Sequence, residues 1–200
     1  MDAWLPLIRL GDPEFIFPAA AGMAAWLLAS RAWRMAFWWS LLFAAAIVLV
    51  AASKIVFMGW GNGWQALCYK ALSGHATGAA AVLPVLLHLL LHRFSPVLRA
   101  AGTGTGLALA ALVAVALVAS DEHSLSEVLA GWCAGAGVSL GTLRLAGAQP
   151  SLRPLGGVLA FALVFVAGAW LMQWMHLGWW MIKAARLLSG NEQIFNLHSD

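Results

Sequence analysis

The chain has 200 residues, of which 62% are hydrophobic and only 10% are charged, and its formal net charge is +3. A soluble domain of this size needs far more polar surface, whereas lipid can solvate apolar side chains on the outside of a helical bundle. The composition therefore excludes an ordinary soluble domain and predicts a single integral membrane domain over residues 1–200. Asp2 precedes any Lys or Arg, so no cleavable signal peptide is expected.

Six hydrophobic runs are long enough to cross about 30 Å of hydrocarbon, which takes roughly 17–25 residues. The opening segment Trp4–Leu10 is too short to span and is expected to lie in the interface. The candidate spans that follow are 14–30, 35–53, 75–92, 101–119, 124–146 and 155–177. The tail 178–200 is expected to be interfacial, because Lys183 and Arg186 lie one turn apart on an otherwise apolar helix. These elements predict an all-α, polytopic transmembrane bundle of about six spans.

The charged residues separate the two ends of this bundle. Six spans place both termini on one side, and all 8 acidic residues fall on that side. The charged residues in and next to the short turns on the other side are all basic: Arg31, Arg34, Arg93, Arg99, Arg144 and Arg153. Short loops rich in Lys and Arg stay in the cytoplasm. We therefore expect both termini to face the periplasm or exterior of a plasma membrane, most simply a bacterial inner membrane.

Span 124–146 contains two pairs of glycines four residues apart, Gly131 with Gly135 and Gly137 with Gly141. Small residues at this spacing let another helix approach closely within a membrane. Both pairs therefore predict helix packing, and neither indicates catalysis.

Polar residues are costly inside a membrane domain, so their positions indicate function. Three polar groups lie at span ends on the acid-rich side: Lys54 ends the second span, Ser73-Gly74-His75 opens the third, and residues 121–127 open the fifth. Helix N-termini favour anions, through unpaired backbone N–H groups and the positive end of the helix dipole. If the third and fifth spans are neighbours, His75 and His123 should lie within about 8 Å of each other and flank one phosphate.

This arrangement suits phosphoryl transfer. One histidine could attack phosphorus while the other protonates the leaving oxygen. Glu127 lies four residues after His123, on the same helical face, and could fix the imidazole tautomer so that the other ring nitrogen is the nucleophile. Lys54 would supply positive charge. Each residue also has a purely structural interpretation: Ser124-x-x-Glu127 fits a capping box, Ser73 an N-cap, and Lys54 an interfacial anchor.

The order Lys, Ser-Gly-His and His-xxx-acid resembles the type 2 phosphatidic acid phosphatase (PAP2) superfamily over about residues 50–145. The signature of that family is Lys-x6-Arg-Pro, Pro-Ser-Gly-His and Ser-Arg-x5-His-x3-Asp. The resemblance implies a helical bundle that cleaves phosphate monoesters or diphosphates of lipids through a phosphohistidine, without a metal or other cofactor. The implied roles are His123 as nucleophile, Glu127 as its orienting partner, His75 as general acid, and Lys54, Ser73 and Gly74 as phosphate-binding residues.

Both signature arginines are absent from this chain. Gly61-Asn62 occupies the Arg-Pro position, Ala116-Leu117 the Ser-Arg position, and Leu72 the position of the Pro before Ser73. Lys70, close to Ser73, is a candidate phosphate-binding replacement, although its point charge does not reproduce a guanidinium fork. An arginine restored at position 117 is expected to raise the activity of an impaired phosphatase.

Three functions follow as hypotheses. The first is a PAP2-type lipid phosphatase or phosphotransferase, acting on a polyprenyl or glycerolipid phosphate at the exterior leaflet. The second is a catalytically inactive PAP2-like protein that binds lipid or serves as an accessory membrane subunit. In the third, Asp121, Glu122, His123 and His75 hold a divalent cation that replaces the arginines. The expected partners are the lipid phosphate and bilayer lipids, with no nucleic acid.

Overall fold

A computed structural model of the chain describes residues 4–147, 154–191 and 193–197. These ranges contain no β-strand beyond an isolated bridge between Trp64 and Tyr69. Their α-helices are α1 Leu5–Ile8, α2 Pro13–Ala29, α3 Trp33–Trp60, α4 Gly74–Leu90, α5 Pro96–Ala119, α6 Leu125–Ala146, α7 Pro154–Met172 and α8 Leu177–Ser189. Two 3₁₀ turns, Arg9–Gly11 and Gln65–Leu67, lie between them. The predicted all-α class is confirmed.

The helices are those of an integral membrane protein. Within the described ranges, four are long and apolar enough to cross a membrane: α3, α5, α6 and residues Leu155–Met172 of α7. Large apolar side chains such as Val48, Leu163 and Val166 are exposed on them, which suits contact with lipid. Helices α2 and α4 are apolar but have 17 residues each, at the lower limit for a span. The count of six spans therefore stays a prediction.

Helix α4 is the central helix of the bundle and packs against both α5 and α6. Every residue from 76 to 85 is buried, and small side chains occupy most of the first half of this run. The helix begins at Ser73, whose hydroxyl accepts a hydrogen bond from Ala76 N. This helix carries half-buried His75 near one end of the bundle and half-buried His88 near the other.

Glycines set the close approach of α6 to α4. A Cβ on Gly131 would lie 2.7 Å from the carbonyl oxygen of Ser73, and one on Gly135 would collide with the carbonyl oxygen of Thr77. The first predicted glycine pair is therefore confirmed as a packing contact. The second pair is divided: a Cβ on Gly137 would meet no atom within 4 Å, whereas one on Gly141 would lie 3.2 Å from Leu42 Cδ1 of α3.

Gly135→Ala is expected to destabilise the bundle by about 1–3 kcal/mol, the usual cost of overpacking, because the obstructing atom is backbone. Gly137→Ala, two residues along the same helix, should be neutral or slightly stabilising, since alanine is the better helix former and the space is open. Thermal unfolding of the two variants in one detergent measures the difference. Equal midpoints would contradict this α4–α6 contact.

The C-terminal part of the chain returns to the end of α3. Helix α8 packs against α3, and the segment after it continues along the same end. Asn191 Nδ2 donates to Gly59 O at 2.9 Å, and Phe195 N donates to Met58 O at 2.9 Å. The interfacial placement of this tail stays a prediction. Four charged residues used for the sidedness prediction lie outside the described residues: Asp2, Arg153, Glu192 and Asp200.

Candidate active site

The two predicted histidines meet at one end of the bundle. His75 lies in the first turn of α4, and His123 lies in the turn just before α6. Their ring centroids are 6.3 Å apart, and the ring planes are tilted by 58°. The predicted separation of less than about 8 Å is confirmed. The close packing of α6 on α4 accounts for it, since both helices begin at this end.

Glu127 holds His123 in a fixed orientation. Its Oε2 accepts from His123 Nδ1 at 2.8 Å and from Ser124 N at 3.2 Å, while Oε1 accepts from Lys70 N at 2.9 Å and Ala71 N at 3.3 Å. The carboxylate is buried, and Ser124 completes a capping box with it. The capping and orienting interpretations therefore both apply to the same side chain. With four donors, this carboxylate is confined to one position.

The Glu127 contact also defines the tautomer of His123. An ionised carboxylate accepts hydrogen bonds and donates none, so the proton between the two groups belongs to Nδ1. In the neutral ring the lone pair then lies on Nε2, the nitrogen that Glu127 does not contact. His123 is thus prepared to use Nε2 as a nucleophile or a base.

Asp12 contacts His75 and is not among the residues predicted from the sequence. Its Oδ1 lies 3.1 Å from His75 Nε2, across 63 residues of sequence. Asp12 occupies the N-cap position of α2, yet its side chain makes no capping hydrogen bond there. A Cβ on the preceding Gly11 would lie 3.0 Å from both Cβ and O of His75, so a glycine is needed for the chain to pack against this histidine. The only sequence signal, an Asp before Pro13, predicts an ordinary N-cap.

Lys54 lies with both histidines around a cavity of about 130 Å³. The ammonium group extends toward the start of α4, where a Cβ on Gly74 would lie 4.0 Å from Lys54 Nζ. Leu197 of the C-terminal segment also lines this cavity. The structure therefore brings together Lys54, Gly74, His75, His123 and Glu127, as the sequence predicts.

Ser73 and Lys70 are placed differently from this group. The Ser73 hydroxyl is fully buried and accepts from Ala76 N at 3.4 Å, which is the structural N-cap interpretation. Lys70 donates from Nζ to Leu197 O at 3.2 Å, while its backbone N–H is bound to Glu127. Lys70 lines an adjoining larger cavity of about 600 Å³ and is absent from the described lining of the smaller one.

The larger cavity adjoins the smaller one, and His123 lines both. Asp121 and Glu122 line it and are exposed, so its mouth carries negative charge. Burial, together with the nearby Glu127 carboxylate, raises the pKa of Tyr69 above its usual value, which keeps this phenol neutral and able to donate. The ring of Phe195, packed against Gly61, lines the same cavity. Residues of the C-terminal tail thus form part of the wall.

A model of the PAP2 superfamily matches residues 58–150, the interval that holds His75, His123 and Glu127. A relative from Klebsiella pneumoniae is 39% identical over 166 residues, which cover 80% of this chain and 79% of the relative. The chain belongs to the PAP2 superfamily. The relative is described as an "Uncharacterized 22.5 kDa protein in cps region". No solved structure matches the chain significantly. Lys54 and Asp12 lie before the matched PAP2 interval.

The position of the second PAP2 signature arginine is part of the apolar core. Leu117 and Ala116 are both fully buried, in a cluster that includes Val113 and Val128. An arginine in the orientation of Leu117 would place its charge among these side chains, where an unpaired guanidinium is strongly unfavourable. The structure therefore argues against the expectation that Leu117→Arg raises activity. At this position the backbone, rather than the side chain, contacts the segment that holds His123. Leu117 O accepts hydrogen bonds from Glu122 N at 3.1 Å and from His123 N at 3.3 Å.

The divalent-cation hypothesis requires several acidic and histidine side chains grouped near the candidate site. No group of three or more His, Cys, Asp or Glu side chains that could hold a metal ion occurs in the part of the chain that the structure describes. Asp121, Glu122, His75 and His123 are consequently not grouped as the cation hypothesis requires.

Proposed function

We propose that the chain is a PAP2-type lipid phosphatase or phosphotransferase that forms a phosphohistidine on His123. The observation that carries this proposal is the pair of histidines, each bound to a carboxylate, with ring centroids 6.3 Å apart beside the ammonium group of Lys54. A nucleophile held by an acidic partner, a second proton donor and a cation are what transfer of a phosphoryl group requires.

In the first step Nε2 of His123 attacks phosphorus, and the bond between phosphorus and the leaving oxygen breaks. His75 in its protonated form gives a proton to that oxygen. In the second step the now neutral His75 takes a proton from water, or from an acceptor hydroxyl, as this oxygen attacks the phosphohistidine. The P–N bond breaks, and both histidines return to their starting state. Glu127 stabilises the positive charge that His123 develops.

Asp12 is the positioning residue for His75 in this proposal. Its carboxylate accepts from Nε2, which leaves Nδ1 as the ring nitrogen that serves the leaving oxygen. The negative charge of Asp12 also stabilises the imidazolium form that donates the proton. Each histidine would then have its own carboxylate partner, Asp12 for His75 and Glu127 for His123.

In this proposal Lys54 and the first turn of α4 bind the phosphoryl oxygens in place of the two missing arginines. Lys54 Nζ lies beside Gly74, where the first backbone N–H groups of the helix are directed at its N-terminal end. A single ammonium with helix N–H groups supplies less charge than two arginine forks. We therefore expect a slower enzyme than a member of the family that retains both arginines.

The proposal includes the orientation of a single membrane domain with six spans. The described acids lie at the end that carries His123, and the described arginines Arg31, Arg34, Arg93, Arg99 and Arg144 lie in or next to the turns at the other end. Basic turns stay in the cytoplasm. The candidate site would then face the exterior leaflet, where it can receive the headgroup of a polyprenyl or glycerolipid phosphate from the plane of the membrane.

Phosphate release by the purified protein in detergent tests the proposal. We expect release from a polyprenyl phosphate or diphosphate, or from phosphatidic acid, and we expect EDTA to leave the rate unchanged, since His123 and His75 need no metal to act. Release that EDTA abolishes would contradict the metal-independent mechanism and support a divalent cation.

A second candidate function is a lipid-binding member of the family without catalysis. Two observations favour it: neither signature arginine is present, and Asp121 and Glu122 bring negative charge to the mouth of the larger cavity. Absence of release from every lipid phosphate, by protein that unfolds cooperatively and still binds those lipids, would establish this second function and overturn the first.

A further inference from the structure

A second polar cavity lies at the opposite end of the bundle from His123. Its volume is about 620 Å³, and its lining includes His88 of α4, Arg99 and Thr103 of α5, and Gly147 after α6. His88 is thirteen residues after His75 on the same helix, which is about 20 Å along the bundle. The two cavities are thus separate sites at opposite ends of the same three helices.

The hydrogen bonds around this cavity fix the proton of His88. Thr103 Oγ1 donates its single hydrogen to Arg99 O at 3.1 Å, so the same oxygen accepts from His88 Nδ1 at 3.1 Å. Nε2 of His88 is therefore the ring nitrogen left for a ligand, and it donates to an anion whenever the ring is protonated. The hydrogen bond to Thr103 therefore orders His88 at the cavity wall and leaves Nε2 without a role in that contact.

Arg99 is the residue that most clearly indicates an anionic ligand. Its Nε is buried, and none of the residues in 4–147, 154–191 and 193–197 provides it with a hydrogen-bond partner. Buried polar groups in folded proteins are nearly always paired. A guanidinium presents its N–H groups in a planar fork that matches the oxygens of a phosphate.

The surrounding charge has one sign. Arg34 lies close to the cavity, because a Cβ on Gly147 would be 3.8 Å from Arg34 Nη1. The acids among the described residues are Asp12, Glu14, Asp121, Glu122 and Glu127, and all of them belong to the other end of the bundle. The positive charge at this cavity therefore has no acidic partner within the described chain.

Apolar side chains next to the cavity indicate that its ligand comes from the membrane. Leu90 at the end of α4 is exposed, and so are Phe94, Val97 and Leu98 around the start of α5. A free anion gains nothing from such a surface, whereas the acyl chains of a lipid pack against it.

We propose that this cavity binds the phosphate of an anionic phospholipid headgroup, with Arg99 as the main recognition residue, protonated His88 as a second donor, and Thr103 as the residue that orders His88. The bound lipid joins the ends of α4, α5 and α6. These helices carry or flank His75, His123 and Glu127 at their other ends, so the lipid stabilises the framework of the candidate active site. The inference does not depend on the proposed phosphatase activity.

Lipid retention in native mass spectrometry tests this inference without measuring catalysis. Phosphatidylglycerol and phosphatidylcholine are titrated separately into the detergent-solubilised protein, and Arg99→Gln is compared with Arg93→Gln. Arg93 is exposed at the same end but does not line the cavity, so the two variants lose the same charge. We expect the wild type to prefer phosphatidylglycerol, Arg99→Gln to bind it about tenfold more weakly or worse, and Arg93→Gln to stay within about twofold of the wild type.

Arg99→Lys keeps the charge without the fork and should fall between the wild type and Arg99→Gln, and it serves as the test variant if Arg99→Gln does not fold. If the substitutions at 93 and 99 weaken phosphatidylglycerol binding equally, the effect comes from general surface charge, and the proposal of a specific site is wrong. Undiminished binding by both Arg99 variants would overturn it as well. Competition by inorganic phosphate, with no preference between the two lipids, would assign the cavity to a free anion and overturn the lipid assignment.

Discussion

Replacement of His123 by alanine is expected to lower the rate of phosphate release by about a thousandfold or more, because it removes the atom that forms the covalent intermediate. In the proposal His75 is committed to proton transfer through Nδ1, because its Nε2 is bound to Asp12, so the loss of His123 removes the nucleophile. The fold should survive, since Glu127 keeps three of its four donors.

Two measurements check this expectation. The first is the initial rate of phosphate release from the best lipid substrate. The second is trapping of labelled phosphoenzyme, which should be labile to acid and stable to base, as a phosphoramidate is, and absent from His123→Ala. His176→Ala is the matched control, because this histidine is exposed and its ring forms a hydrogen bond with the carbonyl oxygen of Trp174, away from the candidate site. A His123→Ala protein that still forms the labelled species would place the nucleophile elsewhere.

Glu127→Gln should be milder than His123→Ala. The amide keeps a hydrogen-bonding oxygen for His123 but loses the charge that stabilises the imidazolium. Its NH₂ group then faces the backbone N–H groups of Lys70 and Ala71 and loses their two hydrogen bonds. The ranking of the two variants in one assay therefore separates the nucleophile from its partner. A larger loss in Glu127→Gln than in His123→Ala would assign the main role to the carboxylate.

Local features of this site could be predicted because they depend on short separations in sequence. His123 and Glu127 are four residues apart across the start of α6, and the capping box of Ser124 with Glu127 turns the carboxylate back toward His123. The approach of His75 and His123 follows from the reversal of direction at each span, which brings the starts of alternate spans to the same end of the bundle. Glycines at 131 and 135 marked the face on which those two helices meet.

Contacts between distant segments could not be predicted in the same way. Asp12 before Pro13 has the pattern of an N-cap, and only the folded chain directs its carboxylate to His75. Phe195 and Leu197 belong to a tail whose sequence indicates nothing about the cavity that it lines. In each case the contact depends on how whole helices pack, which neither spacing nor residue type specifies.

Matching positions to the family signature also did not predict where the side chains point. Leu117 stands where the signature has an arginine, yet its side chain is fully buried in the apolar cluster between α4, α5 and α6. Ser73 corresponds to the serine of the motif and is used as the N-cap of α4. Lys70 is close to Ser73 in sequence but directs its ammonium to Leu197 O. The motif therefore located the site, while helix packing decided which groups reach the cavity.

The role of His75 as a proton donor predicts a dependence on the leaving group. His75→Ala should lower the hydrolysis of lipid phosphates by roughly 10²–10⁴-fold, the usual contribution of general acid catalysis, because an alkoxide leaves poorly without a proton. The release of p-nitrophenol from p-nitrophenyl phosphate should fall by less than about tenfold, since nitrophenolate needs no proton to leave. The first turnover is the relevant measurement, because His75 also acts in the second step.

Asp12→Asn should show the same pattern with a smaller effect. The rate of hydrolysis should fall about tenfold for lipid phosphates and stay nearly unchanged for p-nitrophenyl phosphate. The amide retains a hydrogen-bonding oxygen for Nε2 of His75 but lacks the charge that favours the imidazolium. Glu14→Gln is the matched control, because Glu14 is an exposed acid two residues further along the chain, whereas the carboxylate that contacts His75 is that of Asp12. If Asp12 only supported the fold, its replacement would lower both reactions equally. That result would remove Asp12 from the positioning role, and an unchanged ratio of the two rates in His75→Ala would remove His75 from the role of proton donor.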